Sequence, residues 1–302
     1  MFSGKRGAAR LAILVVVSLV ILKIAVGIIT GSLSVLAQAI DSFLDLFAVT
    51  VTFLAIRVAS RPADEEHPYG HGKVENIAAI FQSVLIFLAG GSIIYAAIQR
   101  FQSEPTLELT QAAVAVMAVS IAASIFLSRY LMRVARREES LALEANAQNI
   151  AADVYSAAAV FAGLLVVEFT GITIIDTILA GLVALYIFWV ALGVLKNAFG
   201  GLVDVKLPEN EEGIIRQTIT EHFGQEVVSF HKLRTRRAGN QRHIDLHLVM
   251  PKNTRLEKAH DMCEHLEVDI ESRWENTEVV IHVEPCDENC PECDLDCEDR
   301  KS

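Results

Sequence analysis

The sequence predicts a two-part protein: an α-helical polytopic membrane domain of six transmembrane helices, then a small C-terminal α+β domain. Three observations predict it. Hydrophobic residues make up 52% of the 302 residues, high for a chain that lives wholly in water. Six apolar segments are long enough for a bilayer of roughly 30 Å, which needs about 20 helical residues each. Charge is uneven. Residues 204–302 hold 13 of the 26 Lys and Arg but 23 of the 37 Asp and Glu. That acidity excludes nucleic acid as a partner and suits a surface that handles cations.

The six segments lie at about 9–29, 33–57, 74–99, 111–133, 143–168 and 174–197. The first follows a basic start, "MFSGKRGAAR", and reads as a retained span because its apolar run is long and others follow. Lys5, Arg6 and Arg10 precede span one, Arg57, Arg61 and Lys73 follow span two, and Arg129, Arg133, Arg136 and Arg137 follow span four. The remaining links carry little positive charge. The positive-inside rule therefore places both termini and the loop after span two in the cytoplasm. Lys23, inside span one, is expected to snorkel or to pair.

After Asp204 the periodicity changes. "PENEEGIIRQTITEHFG" reads as a helix opened by Pro208 and acids, and "VVSFHKLRTRR" and "RHIDLHLVM" as strands about an "AGNQ" turn. "RLEKAHDMCEHLEVDIESRW" is an amphipathic helix and "TEVVIHVE" a last strand. The order α-β-β-α-β is of ferredoxin-like type. Domain bounds of 1–203, 204–285 and a Cys-rich acidic tail over 286–302 follow.

Span two carries Asp41 and Asp45, four apart and so on one helical face. A carboxylate in hydrocarbon costs several kcal/mol unless it is neutralised, hydrated or bound to a cation, and two together add repulsion. Span five repeats the spacing with Asn149 and Asp153. If the spans touch, three carboxylates and one amide oxygen form an all-oxygen cage. Ala145, Ala147, Ala151 and Ala152 permit that close approach. The blander alternative is a hydrogen-bonded structural pair.

The loop "RPADEEHPYGHGKVE", residues 61–75, is broken by Pro68, Gly70 and Gly72 and supplies Asp64, Glu65, Glu66, His67 and His71, of which the two histidines with one acid would make a three-ligand metal site. Alone, it reads equally as a solvated polar loop.

Together the Asp-x3-Asp of span two, "HPYGHGKVE" after it, Asp153 of span five, "IDTILAGLVALYI" in span six and "LVDVKLPE" beyond it resemble the cation diffusion facilitator family, over about residues 10–285. The resemblance implies a homodimeric divalent-metal/proton antiporter of the cell inner membrane with a metallochaperone-like cytoplasmic domain. It implies a transport site of Asp41, Asp45, Asn149 and Asp153 and a loop site of Asp64, His67 and His71. It implies a cytoplasmic site of His231, His247, His260, His282 and Glu284, and a charge interlock of Lys73 with Asp204 at the dimer. The family's usual acid at the last of these sites is Asp; Glu284 is one methylene longer. Its zinc members carry histidine where this chain has Asn149, and an oxygen donor suits harder ions such as manganese or ferrous iron. The expected partners are the bilayer, protons and the metal ion, Mn, Fe or Zn, as substrate and regulator, with no organic cofactor and no enzymatic activity.

The tail places Cys286, Cys290, Cys293 and Cys297 in a C-x3-C-x2-C-x3-C pattern that either closes a zinc site or captures metal loosely. Cys263 is expected to pack, and His243 and His265 to be exposed. Two other functions compete with the antiporter: a non-transporting metal-sensing partner subunit, and a passive channel. The intact three-acid site argues against the first, and proton counterflow would exclude the second.

Overall fold

The computed structural model describes residues 4–30, 33–102, 111–170, 173–222 and 227–286. The chain divides into two compact units, Met1–Phe199 and Gly200–Ser302.

The first unit is helical. Its elements are α1 (Gly4–Thr30), α2 (Leu33–Ala59), α3 (Val74–Gln102), α4 (Gln111–Arg137), α5 (Leu141–Thr170) and α6 (Thr173–Leu202), the last running into the second unit. Five of these are long and apolar enough to cross a membrane over the described residues; α5 is the exception. Its first half carries Glu144, Asn146, Gln148, Asn149 and Asp153, which lower its hydropathy where the predicted site lies.

Packing uses small residues, because lipid tails supply no hydrophobic drive between helices and close backbone approach supplies dispersion instead. Ala8, Ala9, Ala12, Ala135, Ala142 and Ala147 are buried among Val16, Ile56, Leu127, Leu131 and Leu143. A second cluster joins Ile86 and Ile93 of α3 to Ala152 of α5 and Ala184, Ile187 and Ala191 of α6. Gly90 makes room there: a Cβ on it would lie 2.7 Å from the Phe188 ring. Large apolar side chains such as Ile28, Phe47, Leu88 and Trp189 are exposed, as lipid-facing positions are.

Two buried polar residues of α3 tie neighbouring helices together. Glu75, fully buried, accepts from Lys5 Nζ at 2.6 Å and from the hydroxyl of Ser140, tying the starts of α1, α3 and α5. Gln82 donates to Ala48 O and Thr52 Oγ1, both at 2.9 Å, and so ties α3 to α2.

The second unit holds α7 (Glu209–Thr220), β1 (Ser229–Ala238), β2 (Gln241–Met250), α8 (Leu256–Glu271) and β3 (Thr277–Pro285). The strands form one sheet in the order β1-β2-β3, antiparallel and then parallel. In β2, Ile244, Leu246, Leu248 and Met250 alternate into a core with Ile215 and Ile219 of α7 and Ala259, Met262, Cys263, Leu266 and Ile270 of α8. Period-two alternation leaves Asp245 and His247 on the opposite face. Cys263 packs in this core as expected.

One bulge positions the site. The register of β1 slips by one residue between His231 and Arg234, with Lys232 at φ 51°. The slip sets His231, not Lys232, opposite His247. A buried ion cluster that sequence reading missed closes the other end. Glu211 accepts from Arg237 at 3.0 Å and from Arg242 Nε at 2.8 Å, and the Arg242 guanidinium lies 5.2 Å from the Trp274 ring.

Candidate metal centres

The acids in the membrane unit come together across helices. Asp41 and Asp45 lie on α2, Asn149 and Asp153 on α5. The Asp45 and Asp153 carboxyl groups, on different helices, are close enough to influence each other, and Asp41 acts electrostatically on both. Asn149 is buried, Asp45 half-buried, and Asp41 and Asp153 reach the surface of the single chain. The three carboxylates do not form a tight three-ligand group. Such groups, with ligand atoms all within 4.8 Å, occur among the described residues at Asp64–His67–His71 and His231–His247–Glu284.

The sequence gives no signal beyond a lone charge for Lys23, which proves to belong to the same neighbourhood. Its ammonium donates to Ser42 Oγ at 2.6 Å, and it interacts electrostatically with Asp45, Asp41 and Asp153. Of the two expectations for it, pairing inside the bundle is the one observed.

In the loop before α3, Asp64 is the hub. Its Oδ1 lies 3.1 Å from His67 Nδ1 and its Oδ2 3.3 Å from His71 Nε2. The His67 backbone amide donates to Oδ1 at 2.7 Å and, as the largest influence, holds the Asp64 carboxyl below its ordinary range. The two imidazole centroids are 4.4 Å apart. Among the described residues His71 Nδ1 is buried without a hydrogen-bond partner, so its ring offers a second nitrogen.

On the open face of the sheet, His231, His247 and His282 stand in one row across the three strands. Their neighbouring ring centroids are 5.3 Å and 4.7 Å apart. Glu284 joins them. Its Oε1 lies 2.7 Å from His247 Nδ1 and 3.9 Å from His282 Nε2, and its Oε2 lies 3.0 Å from His231 Nε2. The hydrogen bond with His247 holds the Glu284 carboxyl below its ordinary range. With Glu284 as acceptor, the His247 proton sits on Nδ1 and Nε2 is left with its lone pair.

His260 stands outside this tight group. It is exposed on α8, on a cleft of about 470 Å³ that Cys263, Glu267, Glu284 and Pro285 also line. His265 is exposed as expected, but His243 is buried, a correction. It faces Glu278 at 3.1 Å, because the end of β2 that carries Arg242 is closed over rather than open. Burial, then Arg236, lowers the His243 pKa below its ordinary value. Asp204 pairs with Arg236 at 3.5 Å. Cys286 is half-buried and its amide donates to Met250 O at 2.8 Å, while Cys290, Cys293 and Cys297 lie outside the described residues.

Residues 9–203 match the family model described as the cation efflux transmembrane domain, and residues 207–286 match that of the cytoplasmic domain of cation efflux proteins, ZT_dimer. The chain belongs to the cation diffusion facilitator family. The cation-efflux pump FieF of Cronobacter sakazakii is 34% identical over 92% of this chain and 92% of its own. FieF of Serratia proteamaculans is 33% identical over 93% of each chain. The uncharacterised transporter sll1263 of Synechocystis is 31% identical over 88% of this chain and 86% of its own. A solved chain of CzrB, put forward as a zinc transporter, is 34% identical over 27% of this chain and 99% of its own, with a TM-score of 0.26. As a cation diffusion facilitator, the protein is a multi-pass membrane cation efflux transporter and not an enzyme, and it carries the family's dimerisation domain.

Proposed function

We propose that this transporter exports a divalent transition-metal ion from the cytoplasm in exchange for protons, and that Asp41, Asp45, Asn149 and Asp153 are its transport site. One observation carries the reading: carboxyl groups from two different helices, Asp45 of α2 and Asp153 of α5, come close enough to act on each other, with Asp41 acting on both. Carboxylates so close repel when both are ionised, so they hold either protons or a cation between them. Open to the cytoplasm, the acids bind the dication. Open to the other side, arriving protons take the carboxylates and release it, because ligation needs the ionised form. Asn149 does not titrate near neutral pH, so proton uptake falls on the acids. Its amide oxygen beside carboxylates favours manganese or ferrous iron over zinc.

The supporting parts take their places around this site. α1 to α6 make six spans, with both termini in the cytoplasm of a cell whose inner membrane holds a homodimer. Asp64, His67 and His71 bind or deliver metal at the cytoplasmic mouth. The ferredoxin-like cytoplasmic domain senses metal through His231, His247, His282 and Glu284, with His260 completing the set from α8. Lys73 and Asp204 interlock the dimer, and the cysteines of the tail capture soft metal loosely.

The test is uptake into vesicles containing only this protein, with internal pH followed and Mn, Fe(II), Zn, Co and Cd in competition. Manganese and ferrous iron should compete best and protons should move against them. Uptake without proton counterflow would overturn the exchange, and a zinc-first ranking would overturn the assignment of the metal.

A further inference from the structure

Lys23 is a cation in the wrong place for a purely apolar span. α1 is otherwise uncharged after Arg10, and seven residues, about 10 Å of helix, separate Lys23 from the end of α1 at Thr30. The side chain does not run toward that end. It is half-buried and its ammonium meets Ser42 Oγ at 2.6 Å, on α2 and next in sequence to Asp41. Ser42 is itself buried, 4% exposed. Asp45, Asp41 and Asp153 all act on this ammonium electrostatically.

We infer that Lys23 is the tethered counter-charge of the transport site, and that Ser42 parks its ammonium one step back from the carboxylates. The inference rests on the transport-site reading above. Three ionised carboxylates and a neutral amide exceed a dication by one negative charge. Lys23 supplies the missing positive charge, so the loaded site is neutral in a low-dielectric setting, where a residual charge is costly. It also limits how tightly the metal is held, since a fixed like charge nearby weakens every binding state of a cation. Held by Ser42, the ammonium weakens the metal without replacing it. Freed from Ser42, it would pair directly with a carboxylate and compete.

The two halves of this device give opposite signatures in manganese uptake by vesicles of the full-length protein. Lys23→Gln should lower KM on the order of tenfold, the scale for removing a unit charge near the site, and lower the maximal rate because release slows. Ser42→Ala should raise KM, and the double variant should follow Lys23→Gln. A defect of folding alone would not move the two in opposite directions. Shifts in the same direction, or no shift in either, would overturn the inference. If Lys23→Gln does not reconstitute, Ser42→Ala decides: a raised KM supports the inference, and an unchanged or lowered one overturns it. Asp45→Ala separates this from the reading beneath it. Normal manganese uptake in Asp45→Ala removes the transport site itself, whereas its loss with no opposed KM shifts removes only the role of Lys23.

Discussion

His247 Nδ1 lies 2.7 Å from Oε1 of Glu284, so β2 and β3 are joined through a side-chain bond as well as through the sheet. The other oxygen of that carboxylate serves His231 at 3.0 Å. Metal bound to the folded form alone stabilises it by roughly 2.7 kcal/mol at a hundredfold excess over the dissociation constant. Zinc should therefore raise the melting point of the cytoplasmic unit in the full chain. Trp274, the sole tryptophan once Trp189→Phe is made, reports it. Glu284→Ala should remove most of the rise. An equal rise in the variant would exclude this carboxylate from metal binding.

In the membrane unit, Asp45→Asn should abolish metal uptake while the dimer still elutes normally. The amide keeps the shape of the side chain but cannot supply the charge that binds the dication. Uptake near the parent level would exclude Asp45 as a ligand.

Asn149→His should move the metal ranking toward zinc and cadmium, because it places a borderline nitrogen in an oxygen cage. Competition among Mn, Zn and Cd during uptake measures it. An unchanged ranking would mean that the Asn149 side chain does not touch the ion.

Acid should loosen the cytoplasmic unit through His243. Its folded pKa is lowered, by burial first and by Arg236 next, against Glu278 and Asp245, which pull the other way. The unfolded chain therefore takes up this proton first, at about pH 6.5. The contribution is fully present above that value and is lost as pH falls toward the lower folded pKa. Urea midpoints followed by Trp274 should decline over this range, and His243→Gln should flatten the decline.

Glu211→Ala should cost the cytoplasmic unit about 3–5 kcal/mol, since it removes the carboxylate that both Arg237 and the buried Arg242 bond. The side chain of Arg242 is only 2% exposed, so its charge depends on protein partners in the folded unit. The same Trp274 signal measures this, and a change under about 1 kcal/mol would show that water reaches the arginine after all.

Helices, strands and the grouping of several candidate side chains were legible because each rests on a local rule. Apolar length marked the spans, and a four-residue spacing put Asp41 over Asp45. Proline and glycine broke the chain around His67 and His71. What escaped depends on the third dimension. Nothing local says that Lys23 turns toward Ser42, or that Glu75, directly after the loop, is fully buried between Lys5 and Ser140. His243 has the same alternation phase as the candidate ligand His247, yet burial at its end of the sheet sets it apart. Asn146 is buried with both amide atoms unbonded among the described residues, and the sequence treats it as one more small polar residue of a helix.

The slip at Lys232 means that β1 has two halves out of phase. Phe230 and Leu233, three apart, both pack on the core, which no unbroken strand allows. Position 232 thus counts by its presence more than by its chemistry. A pairwise comparison of this strand with an uninterrupted one has to open a gap there, or it will match a spacer to a histidine.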